Sequence, residues 1–133
     1  MLYTSYYSKL ALLPNDVPKL IISRFPPKWI DRTKYSKLYL WKSLAPSAQL
    51  LEFYKDPCSM VYQNWDWYRK TFYWELKNNK NMKSHLEKLY KHLKIHEDVI
   101  LLCFEKDYKH CHRYLIAKYF EQRNIKYGGE YKC

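Results

Sequence analysis

Apolar positions divide the chain into four predicted strands and four predicted helices. Strands are expected where short apolar runs end at proline or polar residues, and helices where apolar residues recur every three or four positions. The predicted strands are Leu2 to Tyr6, Lys19 to Phe25, Val99 to Phe104 and Ile125 to Tyr131. The predicted helices are Ser47 to Lys55, Met60 to Leu76, Ser84 to Leu93 and His110 to Gln122, the last ending at Asn124 as a left-handed cap.

The run from Val99 to Phe104 is apolar at every position rather than at alternate positions. Continuous apolarity is typical of a central parallel strand that is covered on both faces. The strand, helix and strand between Val99 and Tyr131 then form a βαβ unit. We therefore predict one α/β domain over residues 1–133, with three layers, a mainly parallel sheet of about four strands, and helices on both faces.

The segment that joins the third predicted strand to the last helix holds the residues with the richest chemistry. They are Glu105, Cys111, His112 and Arg113. Ligands of open α/β sheets bind at the carboxyl ends of strands, beside helix N-termini whose unpaired N–H groups favour anions. We predict a ligand site at this edge. Arg24, at the end of the second strand, would join it. Ser5 and Tyr6, at the end of the first strand, could bond a ligand there, although a short edge strand often ends in such residues.

Cys111 and His112 each allow two interpretations. A thiol at a helix N-terminus, near His112 and Arg113, can be stabilised as a thiolate and act as a nucleophile. Alternatively, Cys111 is a buried residue that packs against the sheet. His112 is either a general acid or base, or a side chain that bonds a backbone carbonyl and fixes the loop.

The charged residues of this segment are equally open to two interpretations. Arg24 and Arg113 could hold a phosphate with paired hydrogen bonds. Alternatively, one of them pairs with Glu105 in a buried ion pair, because a carboxylate at the end of a strand needs a partner. The two interpretations are compatible if the second arginine stays available for a ligand.

The chain carries a formal net charge of +11, which predicts attraction to nucleic acid or to an acidic protein partner. Its 19% aromatic residues could stack on bases, although lysine-rich and tyrosine-rich composition also arises from nucleotide bias in AT-rich genomes. No apolar run approaches the roughly 20 residues of a membrane helix, and the first residues lack the pattern of a secretory signal. We expect a cytoplasmic protein that does not act at a membrane.

Neither a cofactor nor a metal is expected from the local motifs. The chain has no Walker loop and no G-x-G-x-x-G fingerprint. Its four cysteines form no C-x-x-C pair and show no zinc-type spacing, and Cys103 is expected to be a small core residue. His85, His92 and His96 are spaced loosely like metal ligands, but no cysteine or carboxylate completes a set, so we interpret them as a polar helix face.

Several of these segments resemble the family catalogued as domain of unknown function 488. The resemblance rests on Leu102-Cys103-Phe104-Glu105-Lys106, on Cys111-His112-Arg113 with the Leu-x-Ala helix that follows, and more loosely on Tyr3 to Tyr6, Ile22 to Arg24 with Pro26-Pro27, and Leu44 to Ser47. It implies a small Rossmann-like fold. It also implies a polar site that joins Ser5, Arg24, Glu105, Cys111, His112 and Arg113, but it assigns no activity.

Three functional hypotheses follow. The first is a protein that binds or processes a phosphate-containing ligand, either a nucleotide or a nucleic-acid end, at the predicted site; whether it is an enzyme stays open. The second is a non-catalytic basic module that contacts nucleic acid or an acidic protein through aromatic residues such as Trp67 and Trp74. The third is a small interaction protein encoded by a virus or a mobile element.

Overall fold

A computed structural model describes residues 1–132 of the protein. Five strands form one sheet, and four α-helices and four short 3-10 helices connect them. The strands are β1 (Leu2–Tyr6), β2 (Lys19–Ile21), β3 (Leu38–Leu40), β4 (Val99–Cys103) and β5 (Tyr127–Glu130). The α-helices are α1 (Ala48–Lys55), α2 (Trp65–Asn78), α3 (Lys80–Lys94) and α4 (His112–Glu121). The 3-10 helices are Tyr7–Leu12, Arg32–Lys34, Lys42–Leu44 and Tyr108–His110.

All strand pairs of the sheet are parallel, and the order is β3-β2-β4-β1-β5. β4 lies at the centre, and all five of its side chains are buried. The continuous apolar run therefore marks a central parallel strand, as predicted. The α/β class and the Rossmann-like architecture are also confirmed, with five strands instead of about four.

The additional strand, β3, is a three-residue edge strand. Leu38 is buried, whereas Tyr39 and Leu40 are exposed. A segment this short, with one buried residue, has too little apolar pattern to stand out in the sequence. β2 is shorter than predicted. Its ladder ends at Ile21, before the Pro26-Pro27 pair that cannot continue it.

The two faces of the sheet are covered by different kinds of layer. Leu2, Leu20 and Leu101 point to a core shared with residues of all four α-helices. Ile100 and Leu102, the two neighbours of Leu101 in β4, point to the opposite face of the sheet. They belong to a smaller core that is covered by the 3-10 helix Tyr7–Leu12 and the loops around β2 and β3. Helical segments thus cover both faces, but the α-helices all pack on one of them.

Hydrogen bonds from polar side chains fix where the α-helices begin. Ser47 accepts a hydrogen bond from the backbone N–H of Leu50 at the start of α1. Asn64 does the same for Trp67 at the start of α2, which is why this helix begins at Trp65 and not at Met60. After the C-terminal end of α4, Asn124 has a φ of 66°, as predicted for a left-handed cap.

The connections place a crevice between the carboxyl ends of β2 and β4. The chain leaves β2 towards β3 at one edge of the sheet, and it leaves β4 through α4 towards β5 at the other edge. Ligands of open α/β sheets bind at such a switch in direction. Between residues 1 and 132, no helix has the length and apolar character needed to cross a bilayer.

Candidate functional site

A cavity of about 110 Å³ lies at this switch point. Three parts of the chain contribute its polar wall, and they are Ser23 and Arg24 after β2, Cys103 and Glu105 at the end of β4, and Cys111 and His112 at the start of α4. Tyr54 of α1 and Tyr68 of α2 line the opposite side. Residues far apart in the sequence therefore meet here, as the sequence analysis predicted for Arg24 and His112.

Cys103, Cys111 and His112 form a buried cluster in this wall. The Cys103 Sγ lies 3.4 Å from His112 Nε2 and 3.7 Å from Nδ1. The Cys111 Sγ lies 3.9 Å from Nδ1. Each residue is less than a tenth exposed, but all three border the cavity. A small ligand in the cavity would therefore meet both sulfurs and the imidazole.

The two thiols differ in their readiness to ionise. Burial by itself would raise the pKa of Cys111. The neighbouring Cys103 and His112 side chains and the nearby Arg113 guanidinium outweigh burial and hold that pKa well below its usual range. Burial and the negative charge of Cys111 raise the pKa of Cys103 well above its usual range. Of the two buried thiols, Cys111 is therefore the one that loses its proton more readily.

A backbone carbonyl fixes the orientation of His112. Its Nε2–H donates to the carbonyl oxygen of Ile22 over 2.7 Å, which ties α4 to the end of β2. The ring also packs edge-on against Phe72, with 5.6 Å between ring centroids. This is the locking role that the sequence analysis offered for His112. Because Nε2 is occupied by this hydrogen bond, Nδ1 is the ring nitrogen that lies near the Cys111 sulfur.

Arg24 is the arginine that reaches the cavity. Its Nε donates to the carbonyl oxygen of Pro46 over 2.8 Å, which holds the side chain against the wall. No carboxylate within residues 1–132 lies at ion-pair distance from its guanidinium. The remaining N–H groups of Arg24 are thus positioned to meet a ligand.

Arg113 is instead sealed inside the protein. It is 0% exposed, and its guanidinium pairs with the Glu130 carboxylate over 2.7 Å and donates to the carbonyl oxygen of Glu105 over 2.5 Å. Burial would lower the pKa of Arg113, but the hydrogen bonds to Glu130 raise it. The phosphate-clamp interpretation is therefore wrong for Arg113, because a guanidinium that has no exposed surface cannot meet a ligand.

The ion pair expected between Glu105 and an arginine is also absent. Only the backbone carbonyl of Glu105 bonds Arg113, and the exposed Glu105 side chain has no cationic partner among the described residues. Glu130 takes that place because β5 pairs it with Thr4 of β1. The Glu105 side chain therefore lines the cavity without a cationic partner among the described residues.

Ser5 and Tyr6 do not line the cavity. Ser5 is 2% exposed and lies opposite Leu102 in the sheet, and Tyr6 lies opposite Cys103. The carboxyl end of β1 is one strand away from the crevice between β2 and β4. A sequence shows that a residue ends a strand, but the strand order decides which strand ends share a crevice.

A family model now adds an independent observation. The model that matches is DUF488-N3a, described as the active DUF488-N3 subclade, and it covers residues 3–124. The chain belongs to the DUF488 family. This confirms the resemblance of its Cys-x-Glu and Cys-His-Arg segments. Neither the curated proteins nor the solved structures contain a match to this DUF488 protein.

Several residues of the DUF488 site were not predicted from the sequence. Tyr7 donates a buried hydrogen bond to Ser23 over 2.7 Å beside the cavity. Tyr68 and His110 line the cavity itself. Ser23 could have been found, because it directly precedes Arg24 at the same strand end. Tyr68 could not, because its helical spacing with Phe72 and Leu76 is also the pattern of an ordinary core residue.

The buried cluster of Cys103, Cys111 and His112 has a set of donor atoms that could hold a metal ion. The ligating atoms of Cys103, Cys111 and His112 all lie within 4.8 Å of one another. Two thiolates and one imidazole suit zinc, and three protein ligands would leave a position towards the cavity. The spacing in the sequence concealed this cluster, because β4 and α4 bring Cys103 and His112 together only in the fold.

Proposed function

We propose that this DUF488 protein binds a phosphate-containing ligand, a nucleotide or a nucleic-acid end, and cleaves a phosphate ester with Cys111 as nucleophile. The observation that carries the proposal is the convergence of Arg24, Cys111 and His112 on one cavity at the switch point of the sheet. An available cation, a stabilised thiolate and a fixed imidazole in one small cavity are the parts that phosphoryl transfer to a thiol requires.

Phosphate binding is assigned to Arg24 and to the start of α4. Arg24 lacks a carboxylate partner among residues 1–132, so a phosphate would satisfy a guanidinium that the fold leaves uncompensated. The first backbone N–H groups of α4 have no partners within the helix and favour an anion in front of them. Lys55 lines the same cavity and adds positive charge.

The proposed reaction has two steps. In the first, the Cys111 thiolate attacks phosphorus, the bond from phosphorus to the ester oxygen breaks, and protonated Glu105 gives its proton to the departing alcohol. In the second, Glu105 takes a proton from water, the resulting hydroxide attacks phosphorus, and the phosphorus–sulfur bond breaks. Inorganic phosphate leaves, and Cys111 is again a thiolate while Glu105 is again protonated.

His112 and Cys103 act on the nucleophile and not on the ligand in this proposal. His112 is fixed by Ile22 and keeps its Nδ1 beside the Cys111 sulfur. The Cys103 sulfur lies within 4.8 Å of the same sulfur. The description of the matching family as an active subclade supports turnover in place of binding alone.

Replacing Cys111 tests the catalytic part of the proposal. The assay follows release of inorganic phosphate from p-nitrophenyl phosphate and from nucleoside 5′-monophosphates. We expect Cys111→Ser to lose about a thousandfold or more of the turnover, as nucleophile removal does in other enzymes. Cys58→Ser is the matched control, because Cys58 is an exposed cysteine away from this cavity. Wild-type turnover in a folded Cys111→Ser protein would overturn the nucleophile assignment.

Replacing Arg24 tests the binding part. We expect Arg24→Ala to weaken inhibition by inorganic phosphate by about tenfold or more, the loss of a charged hydrogen bond of roughly 1.5–3 kcal/mol. Arg32→Ala is the control, since Arg32 is an exposed arginine that does not line the cavity. Equal phosphate affinity in wild type and Arg24→Ala would contradict the proposal.

The Cys103–Cys111–His112 cluster favours one alternative chemistry, a zinc centre. In that case the purified protein would contain one equivalent of zinc, and Cys103→Ser would lose it together with activity. The thiolate mechanism instead expects full activity after dialysis against a chelator. Metal analysis of the purified wild-type protein therefore separates the two.

A further inference from the structure

A second, more open cavity of about 480 Å³ adjoins the first. Arg24 lines both cavities. The loop before α1 separates them, because Pro46 borders the smaller cavity while its neighbours Ala45 and Ser47 border the larger one. A ligand whose phosphate lies on Arg24 in the smaller cavity would therefore have its remaining part directed along this loop.

Trp74 supplies a flat apolar surface in the larger cavity. It lies on α2 and is 65% exposed, although α2 buries its other large apolar residues Phe72 and Leu76. One turn later on α2, the side-chain amide of Asn78 donates to the backbone carbonyl of Trp74 over 2.8 Å. An exposed indole on a helix is a platform on which a nucleobase can stack.

Polar groups that could meet the edge of a base surround Trp74. Asn78 and Asn81 at the junction of α2 and α3 line the cavity with exposed amide side chains. An amide offers both a donor group and an acceptor oxygen to the edge of a base.

The aromatic and cationic residues continue around Arg24. Phe25 and Phe104, which are 65% and 51% exposed, line the smaller cavity. The ammonium group of Lys42, which lines the larger cavity, lies 5.7 Å from the centre of the Phe25 ring. Alternating aromatic rings and cations are how proteins hold unpaired nucleotides without reading their sequence.

We propose that the larger cavity is a nucleobase subsite, in which the base stacks on Trp74 while the phosphate lies on Arg24. The substrate class is then a nucleotide, either free or at the end of a single strand. This inference rests on the proposed function, because it uses the same phosphate position. It assigns a binding position to the nucleobase, the group that distinguishes a nucleotide from other phosphate esters.

The experiment compares ligands that share a phosphate and differ in the base. Affinities of the full-length protein are measured for ribose 5-phosphate, for the nucleoside 5′-monophosphates, and for a short 5′-phosphorylated single-stranded oligonucleotide. We expect the wild type to prefer the monophosphates over ribose 5-phosphate by about tenfold, the stacking of one base being worth roughly 1–3 kcal/mol. If the oligonucleotide binds more tightly than the monophosphates, the ligand is the end of a single strand. If the two bind equally, the ligand is a free nucleotide.

Trp74→Ala should remove this preference while the affinity for ribose 5-phosphate stays unchanged. Trp29→Ala is the matched control, because Trp29 is 62% exposed and lines neither cavity. A preference that survives Trp74→Ala, or that Trp29→Ala lowers equally, would overturn the subsite and leave the phosphate site standing. Failure of the wild type to bind any of these phosphates would overturn both proposals.

Discussion

Two clusters of polar side chains flank the start of α4, and they differ in how completely they are paired. On the side of β5, Arg113 bonds Glu130, and the Glu130 carboxylate also accepts from the Thr4 hydroxyl. On the side of β2, Arg24 bonds only the carbonyl of Pro46 among residues 1–132, and Cys111 and His112 border an open cavity. The two clusters stand at the same edge of one sheet.

The difference shows which charges the fold needs and which it leaves for a ligand. A buried guanidinium without a partner is very costly, so the cluster beside β5 is closed by a carboxylate, a hydroxyl and backbone carbonyls. Tyr127 completes it through its hydrogen bond with Thr4, and burial raises the pKa of Tyr127 to about 12. In the cluster beside β2, the Arg24 guanidinium has no carboxylate partner among the described residues. Stability is therefore expected to depend on the first cluster and activity on the second.

The largest expected effect comes from opening the closed cluster. Arg113→Ala leaves Glu130 without its cation and should lower the free energy of unfolding by about 3–5 kcal/mol, as measured by urea denaturation. Glu130→Gln is a second variant, which leaves the buried Arg113 guanidinium without its counter-charge and should also destabilise the protein. A fully stable Arg113→Ala protein would show that this ion pair does not hold the edge together.

Arg24→Ala, in the cluster beside β2, is the control for Arg113→Ala. Arg24→Ala removes one hydrogen bond to a carbonyl, so the expected loss of stability is only about 1 kcal/mol. Its effect should appear in phosphate binding instead. If the two arginine variants were equally destabilising, the distinction between a closed and an open cluster would fail.

The Cys111 thiol should make the free energy of unfolding depend on pH. Because the pKa of Cys111 lies well below its usual range in the folded protein, the folded state releases this proton at a lower pH than the unfolded chain does. The thiolate therefore adds stability as the pH rises from the folded pKa towards the unfolded value of about 9, and this stability is lost on acidification. Between about pH 6 and pH 8.5, the stability difference between wild type and Cys111→Ser should grow, measured by denaturation under reducing conditions.

Cys58→Ser should show no such growth, since Cys58 is exposed and lies outside the cluster. Above about pH 9 the raised pKa of Cys103 acts in the opposite direction, because only the unfolded chain then loses that proton. A Cys111 contribution that stays constant across this range would mean that the thiol is not ionised in the folded protein.

The smallest effect concerns the hydrogen bond beside the open cavity. Tyr7→Phe removes the hydroxyl that donates to Ser23 and should cost about 1 kcal/mol of unfolding free energy in a thermal or urea measurement. Tyr3→Phe is the matched control, because residues 1–132 offer no hydrogen-bond partner to the Tyr3 hydroxyl. Equal effects of the two changes would show that the Tyr7–Ser23 bond does not support the cavity wall.

Much of the fold could be predicted because its central elements have strong local patterns. β1 was predicted with its observed bounds, and β4 was predicted to within one residue. The helices were found from their apolar spacing, and Asn124 from its preference for left-handed backbone. β3 was missed, since a three-residue edge strand is held by backbone pairing with β2 and needs little apolar sequence.

The candidate site was predicted in part. The sequence placed Arg24, Glu105, Cys111 and His112 at strand ends and at a helix start, and the fold gathers these four around one cavity. It could not separate Arg24 from Arg113, because both are arginines near the same edge. That distinction depends on Glu130, which follows Arg113 by 17 residues and reaches it only through β5.

The amino-acid sequence by itself determined the kinds of element, the buried central strand and the chemistry available at its end, because these depend on local apolar spacing and residue type. Only the tertiary structure decided which strand ends are neighbours. The order β3-β2-β4-β1-β5 puts Arg24 beside Cys111 and keeps Ser5 and Tyr6 apart from them. Strand order is set by the packing of the whole core, which no single segment specifies.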